Sequence, residues 1–454
     1  MKEVGLSDQV FCIPLNESRY IIYAPLKRTA FIGNAELVNV VHARLKQPES
    51  KGVDIPFLDD LDFFSPEPPP ADEFAPTGTV YDSLILFLTN RCNLRCTYCY
   101  ASAGDFPVQN MSPDIAEAAV RFVSEEVRRE GLEEMTIGFH GGGEPTINMP
   151  LLRQVVDLSM ETAERDSVRL NLSGSFNGYW SESVRSFILA HFTDISLSFD
   201  GLAEVQNNQR PVAGGGGSFD RVIETLYALD QSPVRYGIRM TVTEAGIDRL
   251  PQSIDYICQR FSPEKIQIEP VFLEGRARNY KSLLKNHDNF VSRYMESYRI
   301  AEKFEIPLFY SGAQLDVLTT RFCLASCRAL VVTPEGNITT CFEIFGSSHP
   351  LAENYLIGEY NGHEFVIDKE KRQAVFDRTV DTIPYCRDCF AKWHCAGDCA
   401  VKSGAVTKLQ EQHSGRCRIN RELLKHLILD RISKSGGLIW QGLHDMTGSN
   451  GEGE

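Results

Sequence analysis

Leu84-Ile85-Leu86-Phe87-Leu88 followed by Thr89-Asn90-Arg91-Cys92-Asn93-Leu94-Arg95-Cys96-Thr97-Tyr98-Cys99-Tyr100 is the stretch from which the fold is read. Five consecutive apolar residues bounded by polar ones have the length of a buried strand. The cysteine-rich loop leaves the C-terminal end of that strand, the side on which β/α barrels carry their chemistry. Working outward, apolar strands begin near Leu84, Thr136, Val168, Ile195, Tyr236 and Lys265. Between them, leucine, isoleucine and valine recur at three- and four-residue spacing, which predicts helices near 113–130, 150–164, 181–191, 218–230 and 247–260. Strict alternation of strand and helix calls for a parallel sheet with crossover helices. Six such units fit into about 195 residues, whereas a closed eight-stranded barrel takes about 250. The expected fold class is therefore α/β, a partial, open (β/α)6 TIM-like barrel spanning residues 81–280.

The flanks read differently. Residues 1–64 predict a small N-terminal α+β unit, with strands around Val10-Phe11 and Tyr20-Ile21-Ile22-Tyr23 and a helix carrying Leu37, Val40, Val41 and Leu45 on one stripe. Residues 65–80, opening Ser65-Pro66-Glu67-Pro68-Pro69-Pro70, have the proline density of a stiff linker. Residues 281–322 predict a bridging helical region. A cysteine-dense segment with little regular patterning, 323–420, should be organised by its metals. Residues 421–454 predict a helix with Leu423, Leu424, Leu427 and Ile428 on one face, then a flexible tail whose last ten residues are expected to be disordered. The run Gly214–Gly217 lacks the Gly-Lys-Ser/Thr of a phosphate loop and reads as a flexible connection.

A chain of 454 residues suggests about three domains. Aspartate and glutamate outnumber lysine and arginine, 61 against 46, so the mean field repels phosphate backbones and no nucleic-acid partner is expected. The longest apolar run, Leu84–Leu88, is far below the roughly 18 residues of a membrane span. The stretch Met1–Asp8 shows no secretory core, and a cytoplasmic location is the expectation. In such a reducing compartment, thirteen cysteines read as metal ligands or catalytic thiols rather than disulfides.

Cys92, Cys96 and Cys99 can hold three irons of one four-iron cluster and leave the fourth open to a ligand. A structural zinc would want a fourth cysteine or histidine, which the loop lacks. This Cys-x3-Cys-x2-Cys pattern, with aromatic Tyr98 before the last cysteine, resembles the radical S-adenosylmethionine (radical SAM) superfamily. The resemblance implies that the open iron chelates SAM. One electron then cleaves SAM to methionine and a 5′-deoxyadenosyl radical that abstracts a hydrogen atom. Gly142-Gly143-Glu144-Pro145 resembles the family's GGE motif, which contacts the SAM amino group. Ser175-Phe176-Asn177-Gly178 resembles its Thr-Asn-Gly turn, departing from the usual spelling at the first two residues. Ser198, in Ser198-Phe199-Asp200-Gly201, and Arg210 resemble the pair that holds the SAM carboxylate. Arg239 is either a further contact or a barrel-lining residue. His140 and His394 are lone histidines with structural or solvent-facing roles. Cys12 and Cys258 match no ligand position, and Cys258 reads as a buried small hydrophobe.

Cys386-x2-Cys389-x5-Cys395-x3-Cys399, read alone, could be a zinc ribbon. Cys323, Cys327, Cys341 and Cys417 bring the region to eight thiols, enough for two fully ligated four-iron clusters. This region looks like a SPASM domain, the C-terminal extension of peptide- and protein-modifying radical SAM enzymes. Its interleaved ligation implies Cys323, Cys327, Cys341 and Cys399 on one auxiliary cluster, and Cys386, Cys389, Cys395 and Cys417 on the other. The cofactors implied are three [4Fe-4S] clusters and SAM. The partners implied are a peptide or protein substrate, foremost a ribosomal precursor peptide, and an electron donor such as flavodoxin or ferredoxin.

The leading expectation is thus a peptide maturase that installs a crosslink or other modification. Residues 1–64 would be either a leader-peptide-binding element, by added-strand pairing, or a cap on the barrel. The alternative is an anaerobic sulfatase-maturating enzyme that forms formylglycine. Those enzymes place an aspartate just after the cysteine of the first auxiliary cluster, whereas Phe342 and then Glu343 follow Cys341. Glu343 and Glu269 are the general-base candidates, each with a structural carboxylate as the competing reading. A non-catalytic iron–sulfur carrier is the alternative from another class.

Overall fold

The computed structural model describes residues 4–5, 9–46, 55–66, 68, 80–279, 284, 286–323, 325, 328–402 and 415–441. Most of the proline-rich linker, Cys327 and the last ten residues lie outside them.

Four strands, β1 (Val4–Gly5), β2 (Phe11–Pro14), β3 (Arg19–Ala24) and β4 (Thr29–Asn34), form an antiparallel meander. The helix Ala35–Lys46 lies against it, with Val38 and Val41 buried beside Ile22 and Phe31. Next come six parallel strands: β5 (Ser83–Leu86), β6 (Glu134–Phe139), β7 (Arg169–Phe176), β8 (Asp194–Ser198), β9 (Arg235–Val242) and β10 (Lys265–Pro270). Their order is sequential, and a short seventh, β11 (Leu308–Phe309), extends the parallel run. Helices Pro113–Arg129, Met149–Asp166, Glu182–His191, Phe219–Asp230 and Leu250–Cys258 connect them. Each lies within a few residues of its sequence prediction, because its apolar stripe has one place to go, the outer face of the sheet. Ser112 and Ser181 cap two of these helices by accepting from Ile115 N and Val184 N.

The cysteine-dense segment is more regular than its sequence suggests. β12 (Ala329–Val332) pairs in parallel with β5, and β13 (Asn337–Thr339), β14 (Leu356–Tyr360) and β15 (Phe365–Ile367) continue antiparallel. One sheet of eleven strands results. The expectation of little regular structure there is corrected. Strands of three to five residues are too short to show a period of two against a background of cysteine and turn residues.

The C-terminal helix Gly415–Lys434 buries Leu423, Leu424, Leu427 and Ile428, as its stripe predicts. Beyond it, β16 (Ile439–Gln441) returns to pair with β4, so the end of the described chain completes the N-terminal sheet. That contact was read in the sequence as part of a flexible tail. Trp440 is buried there, and Trp440→Ala is expected to cost about 3 kcal/mol, read as a lower midpoint in chemical denaturation. A second link between the ends is His394, whose Nδ1 donates to the carbonyls of Gln314 and Val317 while Nε2 accepts from Tyr23 Oη at 2.5 Å. Cys12 and Cys258 are both buried among apolar neighbours. Among the described residues no helix is long and apolar enough to cross a membrane.

Candidate active site

The three-cysteine loop is held from three sides. Residues 209–212 pair with it through Arg95 N to Pro211 O and Thr97 N to Gln209 O, with a bridge between Leu94 and Val212. Arg276 donates to Cys96 O at 2.7 Å and pairs with Asp105 at 2.6 Å. The Gly142-Gly143-Glu144 segment docks through Gly143 N to Thr89 O (2.9 Å) and Glu144 N to Arg91 O (2.8 Å). A Cβ on Gly143 would stand 2.0 Å from Arg91 O. The glycine is thus required by the backbone of the cysteine loop itself. Gly143→Ala is expected to cost about 1–3 kcal/mol through overpacking and to lower iron uptake at Cys92, Cys96 and Cys99, measured by metal analysis after reconstitution.

These elements open on a cavity of about 400 Å³, within the size range of small-molecule sites. Cys92, Cys96, Cys99 and Tyr98 border it with Gly142, Gly143, Glu144, Asn177, Ser198 and Arg210. Glu144 is buried; Oε1 accepts from Thr146 Oγ1 (2.7 Å) and Oε2 from Asn177 N (2.8 Å). Asn177 Nδ2 in turn reaches Asn93 Oδ1 at 2.7 Å and Cys92 Sγ at 3.7 Å. Asn177 is thereby tied both to the Gly-Gly-Glu segment and to a cysteine of the triad.

Sequence reading quoted Asp200 without a role, yet it is the hub of this wall. It is 1 % exposed and accepts from Tyr98 Oη (2.5 Å), Gln209 Nε2 (2.8 Å), Arg210 Nε (2.9 Å) and Thr241 N (3.1 Å). Arg210 adds a second bond from Nη2 at 3.2 Å. Its guanidinium is therefore already committed to a carboxylate of the chain.

From the far side, Cys323, Cys341, Phe342, Glu343, Cys399 and Lys402 line the same cavity. The eight C-terminal cysteines, of which seven are described, divide into two sets. Cys323, Cys341 and Cys399 also border a second cavity of about 310 Å³. Cys386, Cys389, Cys395 and Cys417 border a third, about 20 Å³ in volume. Cys395 and Cys399, four residues apart, face different cavities because the turn between them is tight, with Ala396, Gly397 and Asp398 all at positive φ. Burial, and then the neighbouring cysteines, raise the thiols of Cys92 and Cys341, and burial raises Cys386 and Cys389 to about 12. Buried thiols crowded together in this way suit a group that supplies compensating positive charge. No described trio of His, Cys, Asp or Glu closes around a point tightly enough for a single metal ion. The ligands of a four-iron cubane stand farther apart than those of one ion, so this does not bear on a cluster at the three cavity-lining sets.

The base candidates differ. Glu269, 4 % exposed, accepts from Gln267 Nε2 (2.9 Å) and Ser311 N (3.2 Å) and lies 3.7 Å from Arg416. Burial works against its charge, but Lys402, Arg416 and Arg239 outweigh it and hold the carboxyl below its ordinary range. A carboxylate so stabilised is a weak proton acceptor. Glu343 has one cation beside it, Lys402 at 3.5 Å, and its buried Oε2, like that of Glu269, lacks a hydrogen-bond partner. His140 borders the cavity with its ring 4.8 Å from Phe342; burial, then Arg239 and Lys402, lower it to about 3, so it is neutral at physiological pH. Sequence reading missed Tyr100, Lys402 and the role of Asp200. The Asp-Gly two residues past Ser198 was the available signal for Asp200.

Residues 86–253 match the model of the radical SAM superfamily. The chain carries a radical SAM domain. That domain, and the likeness to maturating enzymes, make the protein an enzyme rather than a passive carrier. It is similar to a serine-type anaerobic sulfatase-maturating enzyme of Klebsiella aerogenes, 22 % identical over 339 residues, covering 69 % of this chain and 78 % of the relative. Its fold is similar to that of native anSMEcpe with bound AdoMet and Cp18Cys peptide, with TM-score 0.59, 17 % identity and coverage of 78 % and 98 %. It is also similar to that of Streptococcus suis SuiB bound to precursor peptide SuiA, with TM-score 0.51, 12 % identity and coverage of 91 % and 99 %. The matched radical SAM domain contains the cysteine triad and the strands β6 to β9 that wall the cavity.

Proposed function

We propose that the protein is a radical SAM/SPASM peptide maturase acting on a ribosomally made precursor. The observation that carries this is the shared cavity, in which Cys92, Cys96 and Cys99 from the barrel face Cys323, Cys341 and Cys399 from the C-terminal region across a band of charged side chains. The likeness to relatives that modify or bind peptides supports it. In this reading Cys92, Cys96 and Cys99 hold a SAM-binding [4Fe-4S] cluster, and the two C-terminal sets, the first completed by Cys327, hold auxiliary ones. When bound, the first cluster and SAM supply a hydrogen-abstracting radical.

The chain's own residues then do four things. Glu144, Asn177 and Ser198 present polar atoms to the cofactor, while Tyr98, fixed by Asp200 and Arg210, shapes its pocket. The radical SAM sheet and the C-terminal strands exclude bulk water from the space between the cysteine sets. Lys402 orients Glu343, whose free oxygen would accept the proton released when the substrate radical closes a ring or is oxidised, the accompanying electron going to the auxiliary cluster that Cys323, Cys341 and Cys399 would hold. Glu269 stays ionised and holds Arg416 and Gln267 in place. A flavodoxin or ferredoxin is the electron source.

The test is anaerobic incubation of the reconstituted protein with SAM and dithionite. 5′-Deoxyadenosine should form, and a cognate precursor peptide should lose mass in whole hydrogens; absence of the nucleoside rejects the proposal. The sulfatase-maturase reading is supported by the likeness to the Klebsiella aerogenes enzyme and by Glu343 in the cavity two residues beyond Cys341, and a sulfatase-derived peptide tests it in the same assay.

A further inference from the structure

Helix Gly415–Lys434 carries Arg416 and Asn420 four residues apart, hence on one face, and both are buried. Asn420 borders the third cavity together with Cys386, Cys389, Cys395 and Cys417. It is 1 % exposed; its Nδ2 donates to Cys395 Sγ at 3.4 Å, and its Oδ1 accepts from Tyr310 Oη at 2.7 Å. Among the described residues the sulfur is the sole acceptor for that amide nitrogen. Asn177 Nδ2 differs, since Asn93 Oδ1 at 2.7 Å is closer to it than Cys92 Sγ at 3.7 Å. Tyr310 is fully buried, edge-on to Phe290 and with the Arg416 guanidinium 5.3 Å from its ring, so its hydroxyl has a fixed place. A Cβ on Gly312 would overlap the Asn420 amide, which is why a glycine passes it there.

A cysteine sulfur bound to iron carries no proton and can only accept a hydrogen bond. It therefore selects the amide orientation in which Nδ2 faces it, and the Tyr310 hydroxyl, donating to Oδ1, holds that orientation. A hydrogen bond to the sulfur draws negative charge from it and favours the reduced, more negative cluster. We propose that the Asn420 amide raises the reduction potential of a [4Fe-4S] cluster held by Cys386, Cys389, Cys395 and Cys417, with Tyr310 as its positioning residue. This rests on the maturase reading, which puts a cluster there. The step so tuned is the gain of one electron, with no bond made or broken. These cysteines lie outside the reaction cavity, so the bond biases electron flow between that cavity and the donor without touching the substrate.

The test uses the full chain in a Cys92→Ala background, reconstituted anaerobically so that the C-terminal clusters are the ones left. The parent, Asn420→Leu, Tyr310→Phe and the double variant are each checked for iron content. Electron paramagnetic resonance at controlled potential, with dithionite as reductant, then reads two midpoint potentials. Asn420→Leu should lower one of them and leave the other unchanged. The reduced-to-oxidised ratio at fixed potential should fall about tenfold, which is about 59 mV for one electron. Tyr310→Phe should lower the same potential by less, because the amide stays but is free to turn. In the double variant Tyr310→Phe should add nothing to Asn420→Leu, as expected if the hydroxyl acts through the amide. Where Asn420→Leu fails to hold its iron, Tyr310→Phe decides alone. The proposal is overturned if the variants keep their iron and leave both potentials in place, or shift both together. A parent chain without iron at the C-terminal cysteines overturns the maturase reading as well, so the two failures are distinguishable.

Discussion

Cys92→Ala is expected to reduce 5′-deoxyadenosine formation to background while leaving most of the bound iron in place. The argument is geometric. Cys92 sits at the junction of two contacts, Asn177 Nδ2 on its sulfur and Leu94 N within its own loop. Removing the sulfur takes one of three ligands from a cluster that already has an open iron, and two thiolates do not retain a cubane. Cys386, Cys389, Cys395 and Cys417 border a separate cavity, and Cys323, Cys341 and Cys399, although they also line the shared one, take part in none of the hydrogen bonds described for the triad. Metal analysis should therefore show a loss of about four irons from about twelve. A variant that keeps full turnover, or one that loses all its iron, would contradict the separation of the three sites.

Arg416→Met should be the most destabilising of the substitutions considered. Arg416 is 8 % exposed and pairs with Asp398 through Nε (2.9 Å) and Nη2 (3.1 Å), with Glu269 3.7 Å away. It thereby joins three places: the C-terminal helix beside Cys417, the turn beside Cys399, and the end of β10 in the cavity. Taking away the cation strips buried Asp398 of its ion-pair partner and Glu269 of one of its three neighbouring cations, at a cost of about 3–5 kcal/mol. The sign of the second-site effect is the sharper test. Adding Asp398→Asn and Glu269→Gln removes the stranded charges and should recover part of the stability. A single substitution within about 1 kcal/mol of wild type, read from the denaturation midpoint, would mean that the network does not hold the regions together.

The strands and helices of the barrel were legible because their signals are local. A strand of apolar residues and a helix with a 3.6-residue stripe each need only the sheet face they pack on, and β5 to β10 appear where Leu84, Thr136, Val168, Ile195, Tyr236 and Lys265 predicted them. The triad and the Gly-Gly-Glu segment were legible for a related reason. Cysteine spacing limits what a loop can wrap, and glycine marks where two backbones touch. The strands β12 to β15 were not legible, since three to five residues do not establish a period. Nor was β16, whose partner β4 lies four hundred residues away in the chain.

By itself, then, the sequence determined the alternation that builds the sheet, the loop that carries three thiols at its C-terminal edge, and the supply of further thiols downstream. Only the tertiary structure decided which charge meets which. Arg210 and Arg239 are both arginines near Ser198, and nothing in their sequence neighbourhoods says that one is bound to Asp200 while the other is left facing the cavity. The same holds for Glu343 with Lys402 and for Glu269 with Arg416. Covalent spacing and hydrogen-bond period act over a few residues, but an ion pair forms between whatever side chains the packed elements bring within a few ångströms. That pairing is settled only when the whole chain has folded.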